Sequence, residues 1–518
     1  MESAVLERLR GEIDMDEIQF GGVRGAGVEH LLIEIWERIL GGLEVPEVAV
    51  TLLGVDYEKA FNRMSHNECL RQLAILGASQ ASLDLVASFL YSRKMQARVG
   101  GQLSKQYNIS SGSPQGSILG CYLYCITTQQ LGKDLLDRGV YEETQAVHPS
   151  QGPPVEYGPA ATSTPGQQHT RDAMLVPSTS SDSWDTGSGT EWLTAEEDFL
   201  LGSGPIFMTG RNRRILDSSS SSDQEVSGSA AEEAFTTVRE ENVDVFDFLV
   251  DIFKYVDDTT IVEAVDISGA IKHFTTAASR AMSKAKYTEV ISNLLTDKAS
   301  QIGMKVNCKK TQLLMVSAPN GFKNESYIRI GQEQIKSEDR MKLLGFVFGP
   351  EPNVRLHVEE IKSKFRARFW SLIHLRKSGF KGVELLKLFN VFVRPTIEYC
   401  SVVYHSLLTE GQSNELERMQ KQAVKLAFGW EKSYQMLCAE NQIETLRERR
   451  ENYVNNFIKK TVASEWFGPL WYPLRDPTTH NLRDRRPFYE TKARSTRYFN
   501  SPLAFLRIRA NELAEDPN

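Results

Sequence analysis

The chain has 518 residues, 41% of them hydrophobic and 25% charged, which marks a globular protein with a large core and more than one domain. Its formal charge of −7 argues at first against a nucleic-acid partner. That total hides an uneven spread: residues 141–250 carry 19 acidic and 5 basic side chains, residues 351–518 carry 28 basic and 20 acidic, so a mildly basic body holds an acidic insert.

Met1 to Arg10 lack the basic-then-apolar pattern of a secretion signal, and no uninterrupted apolar run is long enough to span a bilayer. Cys69, Cys121, Cys125, Cys308, Cys400 and Cys438 show neither a close Cys-x-x-Cys pair nor zinc-type spacing. The expectation is an intracellular protein with free thiols, neither secreted nor membrane-bound, with the nucleus left open. Gly21, Gly22 and Gly25 surround Arg24 ahead of a helix over 28–40. Such a turn can bring backbone N–H groups and a cation to a phosphate. It can equally just shape a loop, and both readings stay open.

After Pro46, Val48–Val55 reads as a strand that delivers Asp56, and the spacing of Ala60, Phe61, Met64, Leu70 and Leu73 predicts one helix over 57–74. A second helix follows over 81–90. Met95–Val99 and Gln102–Ile109 form a hairpin around Gly100-Gly101. Gly112-Ser113-Pro114-Gln115-Gly116 is a loop with fixed and permissive backbone points, and an apolar helix runs from Ile118 to about Leu136. Residues 141 to about 240 hold a serine run, Pro/Gly loop formers and few apolar residues, so disorder is expected there. Ile252–Val262 then places Asp257-Asp258 between two β-branched arms, the pattern of a hairpin with charge at its tip. Helices are expected over 271–304, 356–376, 382–393, 415–427 and 443–463. There is no internal repeat, RNase H signature or zinc knuckle.

An Asp-Asp pair alone is an ordinary turn. Asp56 also ends an apolar strand, and three carboxylates from two strand ends can share one site. Such charges repel unless divalent cations neutralise them, and hard cations take oxygen ligands. Carboxylates holding two metals are the apparatus of nucleotidyl transfer.

Tyr255-Val256-Asp257-Asp258, with Val55-Asp56-Tyr57-Glu58-Lys59-Ala60-Phe61 upstream and Ser111 to Gly120 between them, resembles the reverse transcriptase domain of non-LTR, LINE-like retrotransposons. Order and rough spacing match over most of the chain except its middle. The resemblance implies an α+β right-hand polymerase. Residues 1–47 would be partial fingers, truncated at the start, 48–140 and 244–350 the two parts of the palm, 141–243 a disordered acidic Ser-rich insert, and 351–518 a helical thumb and C-terminal helical region. It implies RNA-templated DNA synthesis from dNTPs on a DNA primer and RNA template, with Mg²⁺ or Mn²⁺ as cofactor. Asp56 and Asp257 would hold the metals, helped by the Tyr57 carbonyl, and Asp258 would complete the acidic cluster.

The same resemblance puts Arg24 at the triphosphate and the Phe61 ring under the sugar, where it selects deoxynucleotides. Gln115 and Gly116 would cradle template base and nucleotide. Lys310 would lie near the triphosphate, and Leu344 with Gly345 would grip the primer end. Asn62 and Cys121 depart from the family's usual Asp and Pro. A catalytically inactive retrotransposon remnant that only binds nucleic acid is the alternative.

Overall fold

The eight residues between Glu47 and Asp56 are apolar at nearly every position, with none of the alternation of a half-exposed strand. In a computed structural model, which describes residues 2–15, 18–45, 48–114, 116–129, 131, 250–266, 286–317, 327–475 and 486–515, they form strand β1 (Val48–Val55). A near-continuous apolar run suits a strand covered on both faces. β1 lies inside an antiparallel four-stranded sheet. A small interrupted hairpin comes next in the chain: β2 (Arg93–Met95) pairs with β5 (Tyr107–Ile109), and β3 (Arg98–Val99) with β4 (Gln102–Leu103) around Gly100-Gly101. The partners of β1 come later, as β6 (Val250–Tyr255), β7 (Asp258–Asp266) and β8 (Gln312–Ser317), giving the order β6-β7-β1-β8.

Successive side chains of a strand point to opposite faces, and here each face has its own core. Val50, Leu52, Val262, Leu314 and Val316 join one apolar cluster, and Leu53, Val55, Ile261 and Leu313 the other. The second cluster is closed by helices α1 (Glu2–Glu12), α4 (His66–Ile75), α5 (Gln80–Leu90), α6 (Ile118–Thr127) and α7 (Lys286–Gln301). The first is closed by α2 (Val28–Gly42) and by the helices that follow residue 350. Two short hairpins, β9 (Tyr327–Ile330) with β10 (Glu333–Lys336) and β11 (Met341–Leu343) with β12 (Phe346–Phe348), complete the strands.

One expected helix is two. The residues from 57 to 74 give α3 (Ala60–Arg63) and then α4, because Lys59 sits at φ 52 and the Ser65 side chain accepts from Glu68 N, starting a new helix. A hydroxyl in that position satisfies one of the unpaired amides of a first turn. Gln115, the far end of the helix toward Leu136, the insert 141–243, the first half of the helix expected from Ile271, and Asn481 to Arg483 lie outside the described residues.

The C-terminal helices include α8 (Arg355–Lys377), α9 (Gly382–Leu388), α10 (Glu410–Phe428), α11 (Leu446–Val462) and α12 (Pro502–Glu515). The segments between α11 and α12 fasten to α2 and the turn behind it through acidic side chains. Glu34 accepts from Trp471 Nε1 at 2.7 Å, Glu37 from Tyr498 Oη at 2.6 Å, and Glu44 from the backbone N–H groups of Arg494 and Ser495 at 2.6 and 3.0 Å. Burial raises the Glu37 carboxyl above its ordinary range, against the opposing pull of the Tyr498 hydrogen bond. No helix among the described residues is long and apolar enough to cross a membrane.

Candidate active site

Register brings two of the three carboxylates together. Val55 on β1 faces Thr259 on β7, so the next residues at that end, Asp56 and Asp258, leave the sheet side by side. Tyr255 faces Asp258 across the β6–β7 hairpin, which leaves Val256 and Asp257 as its two-residue tip. Val256 takes φ 57, a left-handed conformation that β-branched residues rarely adopt. The tip is braced from outside. Phe20 N donates to Lys254 O at 2.8 Å and Lys254 N to Ile18 O at 2.9 Å, so the segment around Gln19 runs along β6. Gly21 then approaches so closely that a Cβ there would lie 2.4 Å from Val256 N. Of the glycines before α2, Gly21 packs against the hairpin, while Gly25 has open space where a Cβ would be.

The three carboxylates feel one another. Burial raises the Asp257 carboxyl, and the neighbouring Asp56 charge raises it further. Asp258 is pushed up to about 6, by burial first and then by Asp257 and Asp56. Clustered carboxylates offer the oxygen donors that hard divalent cations take. Among the described residues, no group of three or more His, Cys, Asp and Glu side chains is gathered closely enough to hold a metal ion. Asp56 is oriented from the chain just before β8: Asn307 Nδ2 donates to its Oδ2 at 3.0 Å, Asn307 N to its carbonyl at 2.7 Å, and its own N–H to Thr311 Oγ1 at 3.4 Å. Tyr57 is buried, and burial pushes its phenol up to about 12.

A cleft of about 370 Å³ opens at this edge, lined among others by Asp56, Asp258, Lys309, Lys310, Glu338 and Lys342. Its lining thus mixes carboxylates with three lysines that make no ion pair with a described residue. Glu338 is held by Gln312 Nε2 at 2.8 Å. The β11–β12 hairpin packs against Gly54, where a Cβ would lie 2.5 Å from Met341 Cε. Leu344 and Gly345 form its tip, at φ 48 and 81.

Of the residues singled out in the sequence, Asp56, Asp258 and Lys310 line one cleft. Arg24 is elsewhere engaged, with its guanidinium 3.3 Å from a Glu7 carboxylate oxygen. Phe61 is half-buried, its ring 4.8 Å from that of Tyr124. Gly116 takes φ 83 with open space around its α-carbon. Sequence reasoning missed Asn307 and Thr311 as supports of Asp56. The available signal was two polar side chains in a stretch read only for its lysines.

No family model matches the chain. A stretch of 116 residues is 32% identical to a protein described as "Probable RNA-directed DNA polymerase from transposon X-element" from Drosophila melanogaster; it covers 22% of this chain and 12% of that protein. Among solved structures, apo telomerase from Candida tropicalis aligns with 89% of this chain and 53% of its own, at 10% identity and a TM-score of 0.32. Telomerase from Candida albicans, in complex with a fragment of telomeric RNA, aligns with 90% and 57%, at 10% identity and a TM-score of 0.28. Scores this low carry no argument. The transposon match, added to the three ordered motifs, supports a reverse-transcriptase-like domain in this chain.

Proposed function

We propose, from that reverse-transcriptase-like domain, that the chain is an RNA-directed DNA polymerase of a transposable element, built as a right hand with the four-stranded sheet as palm and the helices after residue 350 as thumb. The observation that carries this reading is the β1–β7 register, which sets Asp56 beside Asp258 with Asp257 at the adjoining tip, at a cleft that lysines also line. In the reaction, the primer 3′-hydroxyl gives its proton to water and its oxygen bonds to the α-phosphorus of a dNTP as the bond to the bridging oxygen breaks and pyrophosphate leaves. Mg²⁺ or Mn²⁺, when bound by Asp56, Asp257, Asp258 and the Tyr57 carbonyl, supplies charge neutralisation at the attacking and leaving oxygens. The Asp257 and Asp258 carboxyls, raised by burial first and by neighbouring carboxylate charge after it, are the kind of group that a bound cation would neutralise.

The chain's own residues do the positioning. Asn307 fixes the Asp56 carboxylate, and Lys310 receives the triphosphate in the cleft. Phe61 is assigned to the sugar, Gln115 and Gly116 to the template base and nucleotide, Arg24 to the triphosphate, and Leu344 with Gly345 to the primer end; RNA template, DNA primer and dNTPs are the partners. For Arg24 this requires release of its Glu7 pairing.

Primer extension on a homopolymer RNA template with Mg²⁺ tests the reading. Extension by the parent chain, lost in Asp257→Asn while RNA binding stays nearly intact, is the expected result; extension at the parent rate in that variant would remove Asp257 from the chemistry. A second reading, a nucleic-acid-binding remnant without catalysis, is favoured by one observation: among the described residues, no three acidic, His or Cys side chains gather closely enough to hold a metal ion. RNA binding without any extension by the parent chain would establish it.

A further inference from the structure

The segment that leads out of the thumb's first helices ends at Tyr399, and this residue holds the tip of the β11–β12 hairpin. Its hydroxyl donates to the Leu344 carbonyl at 2.7 Å. Its ring covers Gly345 so closely that a Cβ on that glycine would lie 3.1 Å from Tyr399 Cε1. The tip needs holding. Two consecutive residues with positive φ make the tight turn of a two-residue hairpin, and Leu344, at φ 48, is a residue for which that conformation is strained. Tyr399 itself keeps 43% of its surface exposed, which makes it a clamp on the surface and not a pillar of the core. The opposite flank of the same hairpin lines the acidic cleft through Met341, Lys342 and Leu343.

Burial pushes the Tyr399 phenol well above the ordinary value, and Cys400, Glu29 and Tyr255 add to the push. Glu398, the residue before it, is anchored to α11 by Arg449 and accepts from Tyr453 Oη at 3.2 Å. Arg449 and Tyr453 thus hold the residue before Tyr399, and the Tyr399 hydroxyl holds the turn at the cleft's lip.

We propose that Tyr399 is the positioning residue of the primer end, setting the Leu344–Gly345 turn from the thumb. This rests on the polymerase reading for what the turn touches, though the clamp itself can be measured without it. The test uses the full chain and Tyr399→Phe, which keeps the ring and removes the hydroxyl. The readouts are amide hydrogen exchange over residues 343–346, Kd for an RNA template carrying a recessed DNA primer, and Kd for the single-stranded template alone. Loss of one neutral hydrogen bond is expected to speed exchange at the turn roughly 2- to 10-fold. Primer–template binding should weaken severalfold, single-strand affinity should hold, and the melting temperature should stay the same. Unchanged exchange at the turn overturns the clamp. Faster exchange with both affinities unchanged, or with both weakened alike, overturns the role in primer positioning. A parent chain that binds but never extends a primer overturns the polymerase reading instead, and leaves the exchange and binding results to decide on Tyr399.

Discussion

Glu263 sits mid-strand on β7, 1% exposed, with a carboxylate oxygen that accepts from Thr288 N at 2.8 Å and from the Thr288 hydroxyl. Burial outweighs those hydrogen bonds and pushes its carboxyl up to about 7. The folded value lies above the unfolded one, so the folded protein keeps a proton that the unfolded chain gives up. Stability from this group is full below about pH 4.5 and is lost as pH rises toward 7. At about 1.4 kcal/mol for each unit of pH between the two values, the loss is on the order of 3 kcal/mol. Glu263→Gln is expected to melt higher than the parent at pH 8 and close to it at pH 5; equal melting at both pH values would show that the carboxylate is solvated. Asn307→Ala removes the side-chain hold on Asp56 but leaves the backbone one. Supporting residues of this kind are worth about 10- to 100-fold in metal affinity or activity. Single-nucleotide extension should fall by that amount with little change in melting, and parent-rate extension would free Asp56 of any need for Asn307. The carboxylate-bearing strand ends were legible because each is announced by its own neighbours. Asn307 was not, because its partner is 251 residues away.

At the scale of elements, the hairpin carrying Asp257 depends on a loop far upstream. Gly21→Ala would drive a methyl into Tyr255 and Val256 backbone, which cannot rotate aside. Overpacking against backbone costs about 1–3 kcal/mol. Gly11→Ala is the control, since nothing lies within 4 Å of its Cβ and Ala is the better helix former. The urea midpoint should fall in the first variant and stay or rise in the second; equal midpoints would mean that the loop yields freely. The break between α3 and α4 was written in the sequence as Ser65-His66-Asn67-Glu68, a capping pattern. Apolar periodicity through the same residues outvoted it, because a core stripe can continue across a kink. Strand β1 was readable from its short apolar run after Pro46, whereas the turn at Leu344 and Gly345 came only from the resemblance. The contacts that Glu34, Glu37 and Glu44 make near the C-terminus were not readable, since their partners lie 437 to 461 residues away.

For the whole molecule, the two sides of the acidic insert meet in one core. Lys254 Nζ donates to the Thr128 carbonyl at 2.5 Å, and Cys125, Ile126 and Leu131 share a cluster with Ile252 and Ile261. Deleting residues 145–240 and bridging with a short Gly/Ser linker is expected to keep unfolding cooperative. Shortening the loop about sevenfold shifts closure entropy by about 1.7 kcal/mol in the stabilising direction. RNA binding should tighten most at low salt, where an acidic segment competes best for a basic surface. Broad, non-cooperative melting of the deletion would show that the removed residues are structural. The sheet order also has a consequence for synthesis. Both partners of β1 lie far downstream, with Leu52 paired to Val262 and to Leu314. At about 5–20 residues per second, the nascent chain displays its most apolar strand for on the order of 10–50 s before β8 leaves the ribosome. Through that interval at least one hydrogen-bonding edge of β1 stays unpaired, a template for pairing with another chain until β8 arrives.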